Sequence, residues 1–413
     1  MKELIFSIIN SHANNRGDEA AQKALILMIR KEHPGCRFNI FTNNPSALFE
    51  MPGIAVKRSP VISKKGILAF IAALNRVRKG IKGDRRNSFD DLLYAIKESS
   101  IVISSPGGPY IGDLYTDHEI SEHLFSIFCA HLLKKPVMIY GPSMGPFNRK
   151  FRNMIRRHIL GRCRAITVRD GISMEHLRSL KLKGPLTALT ADSAFQVPVA
   201  EFSQASPANT DLIGKGNSLK IGFTAAAAAW NFRMEKNKEE LEEKYVNNIA
   251  AALDAIIERT GGRIICFPQL YGAEEDLVIH ERIGSSMKNP GNYGILPKTA
   301  DSDEQQKLIA GLDLFIGNRY HSLIFALKNT IPCLAVSYEH KTDDLMARFG
   351  MSGYCVKAAG LTEGLLTERF LALAEKAGDI KKAIASALEK TVDAAGINHV
   401  FAEKLIREAV EKQ

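Results

Sequence analysis

The residues able to do chemistry gather where apolar runs end. Leu312 to Ile316 is a largely apolar run that reaches Gly317 and passes into Asn318-Arg319-Tyr320-His321, which opens a helical pattern. Free N–H groups and the dipole at a helix start favour an anion, and a guanidinium there can fork onto a carboxylate or phosphate. An imidazole two residues on can donate a proton to the same ligand. The next run, Pro332 to Tyr338, ends in Glu339-His340-Lys341, a second cationic loop, and Arg169-Asp170 follows an earlier run. Read alone, Arg319 and His321 could be an ion pair and a helix cap. With Lys341 and Arg169 expected on facing loops, the four read as a site for an anionic ligand.

Other loops carry weaker signals. Asn14-Asn15-Arg16-Gly17-Asp18-Glu19 follows the first apolar run and leads straight into a helix. It is either a capped turn, with Asp18 and Glu19 favouring the helix start, or a ligand-facing loop. Gly107 and Gly108 permit close approach of backbone to a ligand, and Asp113 lies just beyond. Gly141-Pro142-Ser143-Met144-Gly145-Pro146 is a further loop of this kind. None matches a Walker loop or Gly-x-Gly-x-x-Gly, which lowers the nucleotide triphosphate and dinucleotide readings. Six cysteines are scattered with no zinc-type spacing, so they read as reduced and mostly buried, and no metal site is expected.

These loops must be held by alternating strands and helices. Strand patterns at 4–9, 38–41, 101–104, 137–140, 165–168 and 187–189 alternate with helical ones, and strands at 220–224, 263–267, 312–316 and 333–336 repeat the scheme. The stretch 203–218, rich in Ser, Pro, Asn and Gly, reads as a linker. The expected organisation is α/β: a basic Rossmann-like domain at 1–202, the linker, and a second Rossmann-like domain at 219–413 that ends in a helical tail, the two facing across a cleft. Ligands of such sheets sit beyond the carboxyl ends of the strands, where the unusual residues fall.

With 413 residues, 45% of them hydrophobic and 24% charged, the composition excludes disorder and a polytopic membrane protein. No apolar stretch spans a bilayer and no secretory signal is evident, so a cytoplasmic protein is expected. The formal charge of +10 is concentrated in two clusters, from Lys57 to Arg86 and from Arg149 to Arg164. They read as solvated faces or as attraction to an anionic partner: a phospholipid surface, a lipid pyrophosphate or an acidic glycan. Nucleic acid is disfavoured, because no helix-turn-helix or aromatic-studded RNA-binding strand is present.

In their order and spacing these motifs resemble the polysaccharide pyruvyl transferase family. The resemblance rests on Asn15-x-Gly17-Asp18, the Gly-Gly loop, Gly141-Pro142-x-x-Gly145-Pro146, Val168-Arg169-Asp170 with Ser173, Asp192-x-Ala194-Phe195, and Arg319-x-His321 followed by Tyr338 and Lys341. The chain departs from the pattern at Pro109 and at the run Ala225 to Ala229 before Trp230. The resemblance implies a glycosyltransferase-B-like fold and a phosphoenolpyruvate donor. The pyruvyl group would pass to two hydroxyls of a sugar, in a glycan or lipid-linked acceptor, as a cyclic ketal with release of phosphate. Neither a cofactor nor a metal is then required. On this reading Arg169, Arg319 and Lys341 bind the donor, His321 is the general acid, and Asp18, Asp113 or Glu339 is the base. Asn15, Gly17, Gly107 and Gly108 complete the expected substrate-binding set. The competing expectations are a nucleotide-sugar glycosyltransferase of the same architecture and a non-catalytic glycan-binding protein.

Overall fold

The computed structural model describes residues 3–47, 49–81, 83, 87–107, 111–114, 118–214, 218–233, 235–272 and 275–411. The chain separates into two compact units: Met1–Asn14, Ala21–Gln196 and Val392–Gln413 form the first, and Asn15–Ala20 with Val197–Thr391 the second.

The first unit is built on seven strands: β1 (Ile5–Ser11), β2 (Arg37–Thr42), β3 (Ile54–Arg58), β4 (Ile101–Ser104), β5 (Val137–Ile139), β6 (Ala165–Val168) and β7 (Leu186–Leu189). They pair in the order β3-β2-β1-β4-β5-β6-β7, and every pairing is parallel. Parallel neighbours require crossovers, which α1 (Arg16–Glu32), α2 (Ile67–Lys79), α3 (Ser88–Glu98), α4 (Phe125–Leu132), α5 (Lys150–Leu160) and α6 (Gly171–Ser179) supply. Both faces of the sheet are covered, which is why its central strands β4 and β5 are almost wholly apolar. On one side Phe6 and Ile8 pack with Leu25 and Ile29 of α1; on the other Ile9, Val102 and Ile139 pack with Leu92 and Ile96 of α3.

The second unit has six strands: β8 (Lys220–Phe223), β9 (Arg263–Cys266), β10 (Tyr293–Ile295), β11 (Leu314–Gly317), β12 (Cys333–Ser337) and β13 (Cys355–Lys357). Their order is β10-β9-β8-β11-β12-β13, again all parallel. Its helices are α7 (Pro207–Ile213), α8 (Ala228–Asn231), α9 (Lys238–Thr260), α10 (Asp276–Ser286), α11 (Ser302–Ile309), α12 (Tyr320–Lys328), α13 (His340–Arg348) and α14 (Glu363–Glu375). A final helix, α15 (Ala377–Val410), begins in this unit and ends in the first.

Several expectations change. Residues 392–413 group with the first unit, not with the second domain as the sequence suggests. There Ala402, Leu405 and Ile406 of α15 join the face made by Phe6 and Ile8. Asn398 accepts from Thr190 Oγ1 at 3.1 Å and donates to Ala191 O at 2.9 Å, and Gln196 donates to Ala395 O at 2.9 Å. The expected linker contains α7, whose N-cap Ser206 and Asn209 both donate to Glu304. Within the second basic cluster, Arg156 is fully buried rather than solvated. It forks onto Glu119 at 2.7 and 2.8 Å and reaches Asp113 at 2.7 Å. All six cysteines are free thiols, five of them buried. No helix among the described residues is long and apolar enough to cross a membrane.

Candidate active site

In the second sheet the strand order turns at β8 and β11, the switch point where open parallel sheets bind ligands. Thr224, just past β8, fastens the two strand ends together. Its Oγ1 accepts from Asn318 N at 2.9 Å and Arg319 N at 3.2 Å, and lies 2.8 Å from Ser322 Oγ. Asn318 ties four segments together: its Oδ1 accepts from Ala226 N at 2.6 Å and from Tyr245 Oη of α9 at 3.2 Å, and its Nδ2 donates to Asn231 of α8 at 3.0 Å and to Val336 O of β12 at 2.7 Å. The alanine run therefore contributes backbone, with Ala225 and Ala226 buried beneath the loop.

Arg319 occupies the N-cap of α12 and is 5% exposed. It pairs bidentately with Asp276, the first residue of α10, and the Trp230 ring lies 5.2 Å from its guanidinium carbon. Burial would lower its pKa, but Asp276 and then Tyr338 outweigh that, so the guanidinium is held charged beyond its ordinary range. Lys341, second in α13, lies 2.7 Å from Glu339 and 5.6 Å from the Tyr320 ring centroid. His321, second in α12, is 7% exposed and edge-on to Tyr320, with ring centroids 5.2 Å apart.

The first turn of α1 completes this group. Asn15 Oδ1 accepts from Gly17 N at 2.8 Å and Asp18 N at 3.3 Å, which makes Asn15 a helix cap. Arg16 N donates to Gln269 O at 2.9 Å, and the Arg16 guanidinium carbon stands 4.9 Å from the Tyr271 ring centroid. Glu19 accepts from Ser302 N at 3.2 Å and Oγ at 3.0 Å. At Gly17 a Cβ would fall 2.0 Å from Cγ and Nδ1 of His321, so glycine is required there to let the imidazole pack against backbone.

Asn15, Gly17, Asp18, Arg319, His321 and Lys341 thus share the second unit, while Arg169, Gly107 and Asp113 belong to the first. Gly108 lies outside the described residues. Arg169 is buried, forms an ion pair with Asp192 and donates to Ser143 Oγ at 3.0 Å, which fixes the Gly141–Pro146 loop. Asp170 caps α6 and accepts from the same Ser143 hydroxyl at 2.7 Å. Gly107 has φ 152°, and its carbonyl accepts from Ser143 N at 3.2 Å. Asp113 accepts from Arg156 and from the backbone of Asn148 and Arg149. Burial would raise its pKa, yet those bonds hold it below the usual carboxylate range. Bonded to Arg156 and to two backbone N–H groups, Asp113 belongs to the framework of the first unit. Sequence reasoning missed Asp276, Tyr338 as a partner of Arg319, and Trp230. The isolated Asp276 gives no local signal, because its partner is 43 residues away.

The polysaccharide pyruvyl transferase family model matches residues 15–340. Over 408 residues the chain is 23% identical to the amylovoran biosynthesis protein AmsJ of Erwinia amylovora, covering 94% of this chain and 95% of that protein. Similar solved structures include a putative UDP-N-acetylglucosamine 2-epimerase from Listeria monocytogenes, 14% identical with a TM-score of 0.59 over 98% of each chain. A glycosyltransferase from Rickettsia africae is 11% identical with a TM-score of 0.59 over 100% of each chain. At these identities the likeness concerns the fold, two Rossmann-like domains of the glycosyltransferase-B kind.

Proposed function

The chain belongs to the polysaccharide pyruvyl transferase family, and from that premise we propose that it moves a pyruvyl group from phosphoenolpyruvate onto two hydroxyls of a glycan or lipid-linked sugar, forming a cyclic ketal and releasing phosphate. What supports this reading is one arrangement: His321, held by Gly17 and Tyr320, beside two cations at adjacent helix starts. Arg319 and Lys341 carry positive charge at the N-termini of α12 and α13, each steadied by a carboxylate, Asp276 or Glu339. The donor brings a carboxylate and a phosphate, and both suit such helix starts.

In the proposed reaction the imidazolium of His321 gives its proton to the methylene carbon of the donor, the electron pair coming from the carbon–carbon double bond. The neighbouring carbon becomes oxocarbenium-like. One sugar hydroxyl adds there and loses its proton to a carboxylate, Asp18 or Glu339. The carbon–oxygen bond to phosphate breaks with its electron pair, and the second hydroxyl closes the ring and releases its proton. Arg169 serves indirectly, by holding the Gly141–Pro146 loop.

The test is to incubate the protein with phosphoenolpyruvate and oligosaccharide acceptors while following phosphate release and the ketal methyl signal by NMR. Acceptor-dependent release with a new ketal methyl is expected. Transfer from a uridine or guanosine diphosphate sugar, with none from phosphoenolpyruvate, would replace this reading with glycosyl transfer.

A further inference from the structure

The two acid-free stretches of the first unit surround something charge alone does not explain. Neither 57–83 nor 149–164 contains an aspartate or glutamate. A helix on a soluble protein normally turns its apolar stripe inward. In α2 Ala73 and Val77 are buried as expected, yet Ile67, Leu68 and Ile71 are 46%, 79% and 46% exposed. Ala69 and Ala72 are exposed as well, so the first two turns are apolar on the outside too. In α5 Phe151 and Met154, one turn apart, are 72% and 63% exposed.

Both helices are anchored to one segment. Ile62 N, just before α2, donates to Ser121 O at 2.8 Å, and Arg156 of α5 grips Glu119. Ile120, between those two anchors, is itself exposed. Exposed lysines and arginines flank the apolar residues: Lys64, Lys65, Arg78 and Lys79 around α2, and Lys150 and Arg157 on α5.

We propose that this face, formed by α2, residue 120 and α5, is a docking surface for an anionic lipid bilayer, with the apolar side chains entering the acyl boundary and the cations meeting the headgroups. The chemistry fits an interfacial helix, in which apolar insertion and cation-headgroup attraction act together. It fits a second protein copy less well, since two such faces would bring together stretches 57–83 and 149–164, which carry cations and no acid. The carrier of charge differs from the solvated-cluster reading, because Arg156 takes no part.

The experiment is co-sedimentation of the full chain with vesicles of equimolar phosphatidylglycerol and phosphatidylcholine, and with phosphatidylcholine alone. Wild type should bind the anionic vesicles at least about tenfold better than neutral ones, less so as salt rises. The double variants Leu68→Glu/Ile71→Glu and Phe151→Asp/Met154→Asp should each lower that binding about tenfold and leave the melting temperature unchanged, since these positions are exposed. Absence of wild-type binding would overturn the proposal. Equal binding by the variants would also overturn it, leaving plain surface attraction. So would sedimentation velocity that shows a wild-type dimer dissociated by the same variants, because a second copy would then cover the face. Failure of phosphoenolpyruvate turnover would leave the lipid result standing, as the two readings share no residue.

Discussion

At the scale of single residues the site depends on packing as much as on charge. Gly17 has no side chain because His321 occupies the space one would fill. Gly17→Ala should therefore displace the imidazole and lower turnover by about 100-fold, the lower end of what general acid catalysis contributes. His321→Ala should lose about as much while keeping most affinity for phosphoenolpyruvate, because a proton donor acts mainly in the transition state. If Gly17 works through His321, the double variant is no slower than His321→Ala alone, which a kinetic cycle reads directly. Asp276 differs in kind. Removing it by Asp276→Ala leaves the buried Arg319 guanidinium without its carboxylate, and also frees the backbone N–H groups of Gln269 and Leu270 that it accepts at 3.0 Å. A loss of about 3–5 kcal/mol is expected in urea unfolding.

At the scale of elements, the buried histidines tie stability to pH. His280 on α10 accepts from Ala225 N at 3.3 Å and lies 3.4 Å from Tyr293 Oη. Its pKa is pushed down to about 4 by burial, with Asp276 opposing that shift and Arg319 adding to it. The unfolded imidazole titrates near 6.5, so between those values the unfolded chain binds more protons, and stability falls as pH falls. Going from pH 7 to pH 5 should cost about 2 kcal/mol from His280 alone, and His280→Gln should flatten that part of the slope in urea titrations. His123 in the first unit, pushed down to about 3 by burial with His12 and His118 near it, acts in the same direction.

The elements also show what was legible beforehand. The inner strands stand out because burial on both faces makes them unbroken apolar runs, as with Ile101–Ser104 and Cys333–Ser337. β3, β10 and β13 were not legible. Each lies at a sheet edge, partly exposed and mixed in composition. The site was readable where its residues adjoin in sequence, as in Arg319-Tyr320-His321. It was opaque where partners meet only through the fold, as Asp276 meets Arg319 and Arg156 meets Glu119. A cluster of arginines in sequence cannot show which member the core will claim.

At the scale of the whole molecule, donor binding should appear as a thermal shift. Phosphoenolpyruvate well above its Kd should stabilise the protein by about 3 kcal/mol at 100-fold excess over that constant. The shift should persist with a chelator present and shrink with added salt, since the proposed cations are the protein's own. Loss of the shift on chelation would point to a required divalent ion.

The return of α15 to the first unit has a consequence for how the protein is made. Phe6 and Ile8 emerge from the ribosome at the outset, whereas Ala402, Leu405 and Ile406, which share their face of the sheet, are translated only after the entire second unit. At about 5–20 residues per second that interval is on the order of a minute. Throughout it the nascent first unit lacks one wall, and its partner sheet can finish folding before it does. A chain cut short between residues 392 and 401 would carry every proposed catalytic residue and leave an apolar face uncovered, the kind of surface that chaperones and proteases recognise.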